Sequence, residues 1–141
     1  MMTRYALRLM REVDARLLWT LAWRCGWGGM RSIARFERRL KRGEYFPAFL
    51  FLSITNRCNY ACQGCWVTPT NPPCELSLET LDTVIAECKA KGCAFFGILG
   101  GEPLLHAGLL EIFARHRDSY FILFTNGALL DDAVASKLQR L

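Results

Sequence analysis

The sequence predicts an α/β fold built on parallel strands, and three observations carry that prediction. Short apolar runs at Ala48–Ile54, Ala94–Leu99 and Tyr120–Phe124 read as strands. Each is followed by a loop of unusual composition and then by a segment with helical periodicity. Strand–loop–helix three times over implies parallel strands joined by right-handed crossovers. The units resemble one another in architecture only; no sequence repeat is visible.

Taken in order, the chain opens with a helix expected over residues 4–24. Leu7, Met10, Leu17, Leu18 and Leu21 recur there at spacings of three and four, with Arg4, Arg8, Arg11 and Arg16 between them. Gly26, Gly28 and Gly29 are expected to break it. A second basic helix over about 30–42 places Ile33, Phe36 and Leu40 on one stripe and stops at Gly43. The expectation is a helical hairpin, and residues 1–46 form a basic amphipathic extension ahead of the α/β part at 47–141. Two readings fit its arginines: a solvated face, or peripheral contact of residues 4–42 with an anionic membrane surface.

The first strand, Ala48–Ile54, is apolar at nearly every position, the mark of a strand buried on both faces. A turn-rich link, Thr68-Pro69-Thr70-Asn71-Pro72-Pro73, leads to a helix opened by Ser77 as N-cap with Glu79 in its first turn. Leu78, Leu81, Ile85 and Cys88 form its stripe, and Gly92 ends it. After the second strand, a helix at about 107–117 turns Leu109, Leu110 and Phe113 inward, and after the third a last helix carries Val134, Leu138 and Leu141.

Composition narrows the class. The 141 residues suffice for one domain with a core, and 52% hydrophobic residues exclude a disordered chain. The net charge of +5 is uneven: residues 1–45 hold eleven Lys/Arg against four Asp/Glu, and the remainder seven against nine. The basic character therefore lies away from the strand loops, which argues against a nucleic-acid groove there. Seven cysteines, an odd number with three grouped, do not suit a disulfide framework. Leu17–Trp23, bracketed by Arg16 and Arg24, is no secretory signal, and no stretch reaches the ~18 apolar residues of a membrane span. A reducing, cytoplasmic compartment is the expectation.

Function concentrates at the strands' carboxyl ends, where parallel α/β folds build their sites. Three loops fall there: Cys58–Cys65, Gly100–Glu102 and Thr125–Gly127. Cys58, Cys62 and Cys65 are spaced CxxxCxxC. The same spacing marks one helical face, but Asn56, Asn59 and Gly64 are poor helix formers. Three thiolates suit an iron–sulfur cluster with one iron left without a protein ligand. Cys74, nine residues on, leaves a second reading open: a closed, non-enzymatic iron–sulfur or zinc site made by Cys58, Cys62, Cys65 and Cys74.

The CxxxCxxC after the first strand, Gly100-Gly101-Glu102-Pro103 after the second and Thr125-Asn126-Gly127 after the third together resemble the radical S-adenosylmethionine (SAM) superfamily. The resemblance covers about residues 48–141. It implies a partial (β/α) barrel whose three cysteines hold a [4Fe–4S] cluster, with SAM chelated by its amino and carboxylate groups to the fourth iron. Reductive cleavage of SAM to a 5′-deoxyadenosyl radical, fed by an external low-potential electron donor, is the activity it implies. By the same resemblance the backbone of Gly100 and Gly101, helped by Glu102, contacts the SAM ammonium, and Thr125 and Asn126 hydrogen-bond SAM. Read without it, Gly-Gly is a tight turn, Pro103 a helix start and Asn126-Gly127 a plain turn. The aromatic residue that often precedes the family's last cysteine is replaced by Gly64, with Trp66 just after as a cover for the cluster.

The family's domain has six strand–helix units and this chain has three, so the expectation is an amino-terminal fragment, inactive in isolation. The third strand would then leave an apolar edge open. His106 and His116 are expected on the surface, and Cys25, Cys88 and Cys93 as small core residues. No side chain is assigned to catalysis, and no substrate follows from these residues.

Overall fold

A computed structural model describes residue 8, residues 11–67 and residues 72–141, without the side chains of 21, 24 and 25. The expectations for Arg4, Leu7, Met10, Leu21, Arg24, Cys25 and the Thr68–Asn71 part of the link lie outside that description. The elements are α1 (Ala15–Leu21), α2 (Gly29–Leu40), β1 (Phe49–Ser53), α3 (Leu78–Ala90), β2 (Phe95–Leu99), α4 (Leu109–Arg115), β3 (Tyr120–Leu123) and α5 (Asp132–Leu138). The strands form one parallel sheet in the order β1-β2-β3, with Phe51 opposite Gly97 and Gly97 opposite Ile122.

One face of the sheet carries the core. Phe96 and Ile98 of β2 pack with Leu81, Ile85 and Cys88 of α3 and with Leu109, Ile112 and Phe113 of α4. The stripes expected for these helices are therefore largely the buried ones, with Ile112 added and Leu78 and Leu110 only half-buried. Ser77 caps α3 as expected, its Oγ accepting from Thr80 N at 3.1 Å. The far end closes as a Schellman motif: Cys93 N donates to Cys88 O and Gly92 N to Lys89 O. Gly92 takes the left-handed conformation (φ 84°) that this motif favours in glycine. Asp131 caps α5 by accepting from Val134 N.

The other face is not covered in the way the apolar run predicts. β1 alternates, with Leu50 and Leu52 half-buried and Phe49 and Phe51 exposed. The reason is that α3 and α4 both contribute to the single core on the Leu50 side. Phe51 and Phe124 meet edge-on at 5.7 Å and roof over Gly97. A Cβ on Gly97 would overlap the Phe51 ring, so this strand glycine marks close packing rather than a bulge.

The amino-terminal segment differs from its expectation in three ways. The first helical stretch is interrupted at Asp14, which has extended backbone angles and caps α1 by accepting from Arg16 N at 2.7 Å. The hairpin turn expected at Gly26–Gly29 is absent. A wider helical stretch of π type, Ala22–Gly28, joins α1 directly to α2, and Gly28 adopts ordinary helical angles. Glycine disfavours a helix by only about 1 kcal/mol, too little to stop one that packing holds. α2 also docks by an unexpected face: Gly29 sits on the Phe95 ring, and Ser32 Oγ lies 2.9 Å from both Ala48 O and Gly92 O. Ile33 and Leu40 of the expected stripe are exposed and Phe36 is half-buried.

Candidate active site

The three loops converge at the carboxyl ends of the strands. β1 runs on through Ile54, whose N–H donates to Leu99 O, and Thr55, which bridges antiparallel to Glu75. Asn56 closes the stem by a reciprocal pair: its N–H donates to Cys74 O, and its Oδ1 accepts from Cys74 N at 2.8 Å. The backbone of Cys74 thus pins the returning chain beside the cysteine loop.

Within that loop, Cys65 N donates to Cys62 O at 3.2 Å, and Gly64 holds φ 75°. A positive φ at the third position is the type II pattern that calls for glycine. In this chain a side chain at position 64 would be strained. Cys62 and Cys65 are exposed, Cys58 is half-buried, and all three are free thiols. Tyr60 N donates to Cys58 Sγ at 3.4 Å, a contact that helps fix the Cys58 side chain. Trp66 is 71% exposed beside Cys65.

The second loop lies directly on this stem. Gly101 N donates to Thr55 O at 2.8 Å and Glu102 N to Arg57 O at 2.7 Å. A Cβ on Gly100 would overlap Thr55 O, and one on Gly101 would overlap Arg57 O. Backbone-to-backbone packing therefore demands both glycines. Among the described residues, neither the Gly100 nor the Gly101 carbonyl accepts a hydrogen bond.

Glu102 is fully buried, and its carboxylate organises the rim. Oε1 accepts from Leu104 N at 2.9 Å and from Thr125 Oγ1 at 2.8 Å, while Oε2 accepts from Asn126 N at 2.8 Å. Three of its roughly four acceptor positions are thereby filled. Asn126 in turn donates from Nδ2 to Asn59 Oδ1 at 2.8 Å, which reaches the cysteine loop. Thr125 Oγ1 also accepts from Gly127 N, and Asn126 Oδ1 from Ala128 N. The structure thus brings all eight predicted site residues to one rim. Asn59 escaped the sequence reading, although its place inside the cysteine motif is a signal in hindsight.

Both histidines depart from expectation. His106 is buried; its Nδ1 accepts from Gly108 N, so Nε2 carries the proton donated to Leu76 O at 2.8 Å. It pins the segment before α3 and does not face the rim. His116 is buried under α3, with Lys89 Nζ 3.3 Å from Nδ1. Asp82 Oδ1 lies 2.9 Å from its Nε2, in ion-pair range but outside hydrogen-bond alignment. Cys88 and Cys93 are core residues as expected, and burial pushes both thiols up from the usual range.

Three soft thiols in one loop match the donor set of a cluster with an open iron. Among the described residues no three His, Cys, Asp or Glu side chains are gathered closely enough for one metal ion. A cubane makes a weaker demand on convergence, because each thiolate meets a different corner. No helix among the described residues is long and apolar enough to cross a membrane.

Comparisons with known proteins agree with this geometry. Residues 52–141 match the family model of the radical SAM superfamily. A GTP 3',8-cyclase of Helicobacter pylori is 37% identical over 90 residues, covering 58% of this chain and 28% of the cyclase. A PqqA peptide cyclase of Granulibacter bethesdensis is 30% identical over 102 residues, 67% of this chain and 26% of the relative. An Fe-coproporphyrin III synthase of Methanosarcina barkeri is 31% identical over 91 residues, 62% of this chain and 23% of the synthase. The chain thus spans about a quarter of the length of the curated relatives it matches. With its cysteine motif, glycine turn and Thr-Asn-Gly loop on one parallel-sheet rim, the chain belongs to the radical SAM superfamily, and that membership implies a [4Fe–4S] cluster and SAM.

Proposed function

We propose that residues 47–141 form the cluster- and SAM-binding part of a radical SAM enzyme, with residues 1–46 as an appended basic segment. In this reading Cys58, Cys62 and Cys65 are the cluster ligands. When bound, the reduced cluster and SAM supply one-electron cleavage of the sulfonium and a 5′-deoxyadenosyl radical that activates a substrate. The electron would come from an external low-potential donor.

The protein's own part is positional. The turn at Gly64 and the N–H of Tyr60 present the thiolates. The unpaired carbonyls of Gly100 and Gly101 suit the SAM ammonium, since an ammonium donates and cannot accept. Glu102 acts through the loop it organises, holding Thr125 and Asn126 in place for hydrogen bonds to SAM. Trp66 is free to close over the cluster and exclude water. The relatives' names span nucleotide, peptide and porphyrin chemistry, so they single out no substrate class for this chain.

One observation carries the reading: the bond chain Glu102–Thr125/Asn126–Asn59 ties all three strand loops into one unit. A closed four-cysteine site has no observation in its favour. The test is anaerobic cluster reconstitution in the wild type and in Cys74→Ala, followed by reduction and addition of SAM. A SAM-dependent change in the cluster's EPR spectrum, kept in Cys74→Ala, is expected. Loss of the cluster in that variant, or no response to SAM in either protein, would overturn the proposal.

A further inference from the structure

Opposite the rim, at the amino ends of β2 and β3, lies a cavity of about 320 Å³. Trp23, Trp27, Arg31, Arg35 and Ser119 are among the residues that line it. Three features point to an anionic ligand. Arg31 and Arg35, one helical turn apart on α2, have no ion pair among the described residues. The Arg35 stem is held against the α3–β2 turn, where a Cβ on Gly92 would come 3.0 Å from Arg35 Cδ. Ser119 is 4% exposed, and its Oγ has no hydrogen-bond partner. A buried hydroxyl left in that state is destabilising unless something completes it. Lys89 adds no free charge, because Asp118 sits 2.6 Å from its Nζ. Two guanidinium groups and one hydroxyl form a donor set for phosphate.

The surroundings identify the source of that phosphate. Trp19, Trp23 and Trp27 stack in a ladder, with ring centroids 6.1 and 6.3 Å apart. A four-residue step overshoots a full α-helical turn by about 40°. The wider turn at Ala22–Gly28 offsets that drift and keeps the rings aligned. The ladder faces outward: Trp19 is 68% and Trp23 57% exposed, with Leu17, Met30 and Ile33 also exposed along the same helical run. Tryptophan beside arginine is the composition of a surface that sits at a membrane interface. The first 45 residues carry eleven Lys/Arg against four Asp/Glu, complementary to an anionic leaflet.

We propose that this end of the molecule docks on an anionic lipid surface, with a lipid phosphate held by Arg31, Arg35 and Ser119 and the tryptophan ladder in the interfacial layer. Docking would leave the cysteine rim, at the opposite end of the strands, open to its own ligands.

Co-sedimentation of the full chain with vesicles tests this. Vesicles containing phosphatidylglycerol should carry the chain down at low salt and release it at high salt, while pure phosphatidylcholine vesicles should not bind. Arg31→Gln and Arg35→Gln should each lower partitioning about 5-fold. Trp19→Ser should weaken it without altering the far-UV circular dichroism. Equal binding to both vesicles, or unchanged binding in the double arginine variant, would overturn the proposal. So would binding of sn-glycerol 3-phosphate without vesicle binding, which would make the ligand a soluble phosphate ester. Self-association in place of vesicle binding would assign the ladder to a second copy and overturn it equally.

Discussion

Replacing Glu102 by glutamine tests the central claim about the rim. The carboxylate accepts from Leu104 N, Thr125 Oγ1 and Asn126 N, and the side chain is fully buried. An amide can keep its oxygen toward the two donors at the Oε1 position. Its NH2 group then faces Asn126 N–H, donor against donor. One part-buried N–H loses its partner, and two charge-assisted bonds become neutral ones. The expected loss is about 2–3 kcal/mol, mostly the cost of the orphaned group. Glu102→Ala would leave all three donors unpaired, a loss of about 3–9 kcal/mol. That approaches the whole stability of a typical domain, about 5–15 kcal/mol, so the alanine variant is expected to unfold and the glutamine variant is the informative one. Urea titration followed by circular dichroism should show the midpoint falling with an unchanged slope. The SAM-dependent EPR response should weaken in parallel, because Thr125 and Asn126 lose their anchor. A Glu102→Gln midpoint within about 0.5 kcal/mol of wild type, the range of an ordinary surface change, would refute the reasoning.

Three further outcomes are expected. In the reduced, cluster-free chain, iodoacetamide should label Cys62 and Cys65 quickly and leave Cys88 and Cys93 unmodified until the chain is denatured, since burial holds those two thiols in their neutral form; peptide mapping by mass spectrometry reads the difference. Ser77→Ala should cost about 1 kcal/mol in urea titrations through loss of the α3 cap. Glu79 adds a pH dependence at the same helix end. Backbone hydrogen bonding, then Ser77, holds its carboxyl below the ordinary value of 4.5. A depressed folded-state value means its contribution is present above that range and lost as pH falls through it. The acid limb of stability should therefore flatten in Glu79→Gln, and an unchanged limb would contradict the assignment.

Much of this was legible because the signals are local. Strand runs, the Ser77 cap, the Gly92 stop and the CxxxCxxC spacing each lie within a few residues. Periodicity alone put the three loops at one end of the sheet. The misreadings share one cause: burial depends on what lies opposite in space. His106 and His116 sit at helix boundaries that look solvated, yet α3 and the segment before it cover them. Gly26, Gly28 and Gly29 look like a break, but the cost of helical glycine is small against the docking of Gly29 and Ser32.

By itself, then, the sequence determined the order of strands and helices, the thiol loop and the family. Tertiary structure decided what the residues of the rim do. Gly100 and Gly101 look like an approach to a ligand, and the fold shows them making room for the backbone of Thr55 and Arg57. The resemblance implies that Glu102 helps the glycine loop contact the SAM ammonium, and the fold buries it beneath Thr125 and Asn126, more than 20 positions away in the chain. Asn126 reaches Asn59 across a still longer separation. No local propensity encodes such pairs. They exist because parallel pairing brings three strand ends together, and a buried carboxylate there must find its donors wherever the chain supplies them.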